Sequence, residues 1–353
     1  MRKINTESLK PGMINGRPIF TQNGIVLFNT GTVLTQGFID KIIAAQIDFI
    51  YISDEISEGI ESTEIISDEM TSVTKKVIFD SLNRFKSGHL SGNIKLINSV
   101  EAIITEVINN PRVMISLQEM RNKEEYMYMH ALNVCIVSCI IGKRMEYSDK
   151  QMRLVALGAL LHDVGKVQID FDCTRYRDDY TEEEFEIYSE HCKIGEEMIL
   201  NMREINSVVA SVARQHHEQY DGSGFPYKLK GDSINELSRI VSIANEYDNL
   251  LYNMPKGEEL KHYEIIEIIT AKAFTAFDPS LIRVFRSSIS PYPIGSGVQL
   301  NDGRVGIVAK INEAFPTRPL IRIIDSDNKT IIEEIDLSKS ISLMIANEKD
   351  VDK

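Results

Sequence analysis

The chain has 353 residues, with 39 Lys+Arg against 52 Asp+Glu and a formal net charge of −13 at pH 7. That acidity repels polyphosphate and argues against a nucleic-acid surface or an anionic-membrane anchor. At 43% hydrophobic and 26% charged residues the composition excludes disordered, collagen-like and membrane-spanning chains, and the length suits two or three domains.

In chain order, MRKINTESLKPGM lacks the apolar run of a signal peptide. The longest apolar run, Val134 to Ile141, falls well short of the roughly 20 residues that span a bilayer, so a cytoplasmic protein is expected. Residues 1–55 read as a small α+β module: RPIF and IVLF strands joined by an Asn23-Gly24 hairpin turn, a short helix around Ile39 to Ala45, then FIYI. The acidic, Ser-rich stretch 56–70 predicts a solvated linker. Over 71–290 apolar residues recur with helical spacing, broken at Ser87-Gly88, Asn109-Asn110-Pro111, Tyr147-Ser148-Asp149 and Asp221 to Gly224. From 291 to 353 the pattern returns to strands, SGVQL, RVGIVAKI, LIRIID and TIIEEIDL, ending in a charged tail expected to fray after Ala346. The fold class is mainly α: an all-helical domain between a small N-terminal α+β module and a small C-terminal β module.

The four cysteines, Cys135, Cys139, Cys173 and Cys192, lack metal-finger spacing and read as buried reduced thiols. The histidines say more. His130, His162, His191, His216 and His217 all lie in the helical region, each where an apolar helix meets a polar break. A lone histidine is ordinarily a satisfied core or surface residue. The adjacency His162-Asp163, followed by Gly165 and Lys166, and the pair His216-His217 before DGSGFP are harder to attribute to chance. Imidazoles and a carboxylate converging from several helices suit divalent iron, manganese or zinc, and the lack of Cys ligands disfavours a purely structural zinc. His89 and His262 fall outside this set.

LLHDVGK, then a His in the H-x-x-x-G context of His191 to Gly195, then HHEQYDGSGFP resemble the HD-GYP family, metal-dependent phosphodiesterases that hydrolyse cyclic di-GMP. The core motifs span residues 124–251. The resemblance implies an all-helical HD-GYP domain and two divalent metal ions, iron or manganese, that activate water and neutralise the phosphodiester. It makes His130, His162, Asp163, His191, His216 and His217 metal ligands, with Asp163 bridging and Asn245 at the last ligand position. Lys166 then assists at the phosphate and Asp248 pairs with it, which places Asp163, Lys166 and Asp248 in the catalytic set. Gly222, Gly224, Phe225 and Pro226, with Lys166, form the substrate-binding set. Cyclic di-GMP is the implied partner, opened to pGpG and onward to GMP. No nucleic-acid polymer or membrane is expected; a homodimer and protein partners on the flanking modules are compatible with the layout.

Three departures bear on activity. Asn245 stands where the family carries an Asp, which removes a negative charge from the ligand set. Tyr126 stands where members with a third metal have Glu, so two metals are the ceiling. Met254 replaces an arginine that contacts the substrate phosphate, a loss of about 1.5–3 kcal/mol that the point charge of Lys256 does not reproduce. An enzyme weakened by Asn245 and Met254 is expected, and the alternative is a domain that acts as nucleotide receptor or protein-interaction module.

Overall fold

The computed structural model describes residues 1–20, 26–45, 47, 49–61, 68–109, 126–173, 179–252, 260–312, 314–325 and 330–351. The chain divides into two compact units, one from Met1–Glu64 with Ile289–Lys353, the other from Ile65–Val113 with Arg121–Ser288.

The first unit opens with β1 (Arg2–Asn5), β2 (Ile14–Asn15), β3 (Ile19–Phe20), β4 (Val26–Phe28), α1 (Gln36–Ala44) and β5 (Phe49–Ser53). Strands β1, β5 and β2 form an antiparallel sheet in that order, with Arg2 opposite Ile52 and Ile14 opposite Ser53. Strands β3 and β4 form a separate ribbon with Ile19 opposite Phe28; the Asn23-Gly24 turn lies outside the described residues. Thr35 caps α1 by accepting from the Phe38 N–H, and Ile39 and Ile42 turn inward to join Ile4, Ile50 and Ile52 in one core. The same unit contains β6 (Gly297–Leu300), β7 (Val305–Lys310), β8 (Leu320–Ile324), β9 (Ile331–Asp336) and β10 (Ile345–Glu348), an antiparallel sheet in the order β10-β6-β7-β8-β9. Val298, Leu300, Ile321 and Ile323 alternate inward along their strands, as a one-sided sheet requires.

Three expectations change here. Residues 56 and 60 do not belong to a solvated linker: Ile56 and Ile60 pack with Ile307, Ile324 and Val351, because two isoleucines one helical turn apart follow apolar burial whatever the charge of their neighbours. The 62–67 part of that stretch lies outside the described residues. Residues 347–351 of the tail are ordered, since β10 pairs with β6 (Ile345 opposite Leu300, Glu348 opposite Val298) and Val351 is buried. The flanking modules, read separately in the sequence, share one unit: Arg322 donates to the Ile56 carbonyl at 3.1 Å, and the Lys3 N–H donates to the Gly295 carbonyl at 3.0 Å.

The second unit comprises α2 (Asp68–Lys86), α3 (Ile94–Asn109), α4 (Tyr126–Arg144), α5 (Asp149–Leu161), α6 (Glu182–Ser189), α7 (His191–Leu200), α8 (Ser207–Gln215), α9 (Glu236–Tyr252), α10 (His262–Ala271) and α11 (Pro279–Ser288). Helix α4 is buried all round from Met129 to Gly142, and α5 and α9 pack along it. That explains why its sequence is apolar on every face. The predicted breaks are built as the residues dictate. Gly88, at φ +78°, ends α2 while the His89 N–H returns to the Arg84 carbonyl at 2.9 Å. Ser148 opens α5 in a reciprocal box with Gln151. No described helix is long and apolar enough to cross a membrane. Cys135, Cys139 and Cys192 are buried as expected; Cys173 is only half-buried, because it lies beyond α5 in an irregular segment rather than on a packed helix.

Candidate metal centre

Three histidines share one local device. The last carbonyls of a helix have no partner within it. His162, His191 and His216 sit just past the ends of α5, α6 and α8, and each turns its Nδ1–H back onto the carbonyl three residues earlier: Ala159 at 2.7 Å, Tyr188 at 2.5 Å and Ala213 at 2.9 Å. Satisfying the helix end in this way fixes the tautomer, leaving each Nε2 unprotonated. His130, inside α4, reaches the same state by another route. Its Nδ1 lies 2.7 Å from Asp248 Oδ2, and Asp248, fully buried on α9, is itself held by Asn133 Nδ2 at 3.0 Å.

The four Nε2 atoms converge on Asp163 in two pairs. His130 and His162 stand 3.2 Å apart and lie 3.5 and 3.4 Å from Asp163 Oδ2. His191 and His216 stand 3.3 Å apart and lie 3.3 and 3.4 Å from Asp163 Oδ1. His217 joins the second group. Donor atoms bound tetrahedrally at about 2.0–2.1 Å stand about 3.3–3.4 Å from one another, the spacing seen in both groups. Lone pairs facing each other at this distance repel. Asp163 Oδ1 is moreover buried without a hydrogen-bond partner, a condition that costs about 1–3 kcal/mol for a neutral group and more for a charged one. A cation in each group relieves both penalties, so the residues fit a pair of divalent ions.

Close backbone approach makes this convergence sterically feasible. A Cβ on Gly165 would stand 2.0 Å from the His191 carbonyl oxygen and 2.7 Å from Gly195 N, so the HDVGK turn lies directly on α7 only because position 165 is glycine. Burial keeps the donors in their ligand states. It lowers His130, although Asp248 opposes it, and lowers His191 and His217 well below the usual range; His216 falls to about 4. For Asp163 burial acts upward, but interactions with His162 and Lys166 outweigh it and hold the carboxyl well below its ordinary value.

Residues 112–281 match the family model of the HD domain. That stretch, just under half of the chain, is similar to the HD domain. Residues 297–352 match a KOW domain associated with HD domains. The cyclic di-GMP phosphodiesterase PA4108 of Pseudomonas aeruginosa is 29% identical over 224 residues, 64% of this chain and 54% of that protein. The cyclic di-GMP phosphodiesterase response regulator RpfG of Xanthomonas campestris is 31% identical over 147 residues, 41% and 39% of the two chains. The chain thus spans about half or less of the length of these curated relatives. Among solved structures, Bd1817, a HDG"Y"P protein from Bdellovibrio bacteriovorus, has a TM-score of 0.46 and 18% identity, covering 80% of this chain and 97% of that one.

Elsewhere in this matched region the arrangement departs from the implied roles. Lys166 Nζ lies 2.6 Å from Asp163 Oδ2. Asp248, expected to pair with Lys166, instead accepts from His130 and Asn133, because α9 delivers its carboxylate to the far side of the first histidine pair. Asn245, one turn before Asp248 and buried, accepts from Asn249 Nδ2 at 3.1 Å through the oxygen a ligand role would use. Phe225 lies face to face on His217, with centroids 4.6 Å apart and planes at 18°, so its ring backs a donor. Its loop is tightly wound: Gly222 has φ +88°, a Cβ on Gly224 would stand 2.2 Å from Gln219 N, and the peptide to Pro226 is cis. Buried Glu218 closes it by accepting from the Tyr227 and Leu229 N–H groups at 2.7 and 2.9 Å. Met254 and Lys256, and the side chain of Tyr126, lie outside the described residues.

Sequence reasoning missed Asn133, Glu218 and Tyr188. Asn133 was discoverable as a polar residue one turn from His130 in an otherwise apolar helix, and Glu218 as the carboxylate directly after the paired histidines. Tyr188 carries no local signal.

Proposed function

We propose that the HD domain is a metal-dependent phosphodiesterase that opens cyclic di-GMP to linear pGpG and onward to GMP. The observation that carries this reading is the split of Asp163, with one carboxylate oxygen facing each pair of Nε2 lone pairs. His130, His162 and Asp163 would hold one ion, and Asp163, His191, His216 and His217 a second, with iron or manganese suiting the imidazole and carboxylate set. Such a pair, when bound, supplies Lewis acidity to a phosphoryl oxygen and lowers the pKa of water. Asp248 orients His130 and keeps its Nε2 unprotonated. Lys166, held beside Asp163, sets a cation next to the donor cluster, where it would meet a phosphate oxygen. The loop of Gly222, Gly224, Phe225 and Pro226 flanks the second group and would form one wall of the substrate site. A net charge of −13 is no obstacle, because two divalent ions reverse the local field. The names of the Pseudomonas and Xanthomonas relatives support cyclic di-GMP as substrate; a Vibrio cholerae relative, 25% identical over 171 residues, is named a 3'3'-cGAMP-specific phosphodiesterase, so that dinucleotide belongs in the same assay.

One observation favours a second reading, a nucleotide receptor with weak turnover: Asn245 brings no charge, and its oxygen already accepts from Asn249. Hydrolysis of both dinucleotides by protein loaded with Mn²⁺, or anaerobically with Fe²⁺, separates the two. Linear product from cyclic di-GMP supports the enzyme; metal-loaded protein that binds the dinucleotide and leaves it intact supports the receptor.

A further inference from the structure

The two donor groups are oriented by different means. In the first, a carboxylate holds His130 and a helix-end carbonyl holds His162. In the second, one residue of α6 touches two donors. The Tyr188 carbonyl accepts from His191 Nδ1 at 2.5 Å, and the Tyr188 hydroxyl lies 3.1 Å from His217 Nε2. Tyr188 is 6% exposed, and its ring centroid lies 4.7 Å from that of His191 and 5.4 Å from that of Tyr180. Phe225, on the face of His217, is braced in turn by Phe185 at 5.2 Å. His217 is therefore held by an aromatic neighbour on its face and a phenol at its edge. An imidazole has two nitrogens, and when one is tied by a hydrogen bond the other is presented to a ligand.

We propose that Tyr188 is the positioning residue of the second donor group. Its hydroxyl oxygen accepts from His217 Nε2–H, which fixes the tautomer that offers Nδ1 to the ion, while its carbonyl fixes His191. The inference rests on the two-ion reading above and adds to it an asymmetry: the second ion depends on this phenol, and the first does not.

Tyr188→Phe removes only the hydroxyl and keeps the ring, so packing is retained. Metal-stripped protein is titrated with Mn²⁺ by calorimetry and its metal content measured by elemental analysis. The wild type is expected to take up two equivalents. In Tyr188→Phe one affinity stays within about twofold and the other falls about 10- to 100-fold, as losses of outer hydrogen bonds to ligands do. If the hydroxyl acts through His217, the Tyr188→Phe/His217→Ala double variant binds no more weakly than His217→Ala alone, a non-additivity that a general packing defect would not produce. Two unchanged affinities, a parallel fall in both, or additive losses in the double variant each overturn the inference. A wild type that takes up no Mn²⁺ refutes the two-ion reading itself, a result distinct from all three.

Discussion

Replacing Asp163 by Ala tests the centre most directly, because both donor groups share this carboxylate. Each oxygen faces two Nε2 atoms at 3.3–3.5 Å, so on the proposed two-ion reading the substitution withdraws an anionic ligand from both positions at once. Loss of an outer partner alone lowers metal affinity about 10- to 100-fold, and loss of the shared ligand should exceed that at both positions. The effect is readable as stability. An ion at a hundred times its Kd stabilises the folded state by about 2.7 kcal/mol per site. For a domain of some 150–250 residues, about 2–4 °C per kcal/mol converts this to about 5–11 °C. Thermal unfolding with and without Mn²⁺ should therefore show a metal-dependent rise in the wild type and none in Asp163→Ala. His130→Ala, which touches one group, should retain part of it. An Asp163→Ala protein that keeps both the metal-dependent rise and the wild-type metal content would refute the bridging geometry.

Asn245→Asp puts a charged oxygen on α9, one turn before Asp248; if position 245 supplies a ligand, metal affinity should rise about tenfold or more by competition titration, and an unchanged value would show that it lies outside the coordination set. In the metal-free protein, stability should fall as pH drops from about 6.5 toward 4. His130, His191, His216 and His217 are all lowered in the folded state, so the unfolded chain binds protons first, and the contribution is fully present above the unfolded pKa. His216 alone, moving from 6.5 to about 4, accounts for about 3 kcal/mol, which urea midpoints at pH 7 and pH 5 would sample; equal midpoints would contradict buried neutral imidazoles. Gly165→Ala should destabilise the helical unit by more than about 2 kcal/mol and abolish metal uptake, since its Cβ would meet backbone at 2.0 Å that cannot swing aside; normal uptake would show that the HDVGK turn can move off α7. Substituting exposed His89 should leave metal content unchanged by elemental analysis, and so should substituting His262, although its bond to the Tyr247 hydroxyl at 3.0 Å makes that change destabilising.

The sequence by itself determined the helical nature of the central region, the strands on either side and which residues are candidates for metal ligation, because those signals are local. Apolar spacing, the Ser148 and Gly88 boundaries and the HDVGK and HHE runs are readable within a few residues of each position. Only the tertiary structure decided what those residues do to one another. It gave Asp248 to His130 rather than to Lys166, turned Phe225 onto His217, brought Ile56 and Val351 into one core and placed Tyr188 between two donors. Each of these is a contact between segments whose meeting depends on where whole helices and strands pack. The same asymmetry explains the missed final strand: the IANE segment has a weak strand pattern of its own and becomes β10 only because β6 offers an unpaired edge with hydrogen-bonding groups to satisfy.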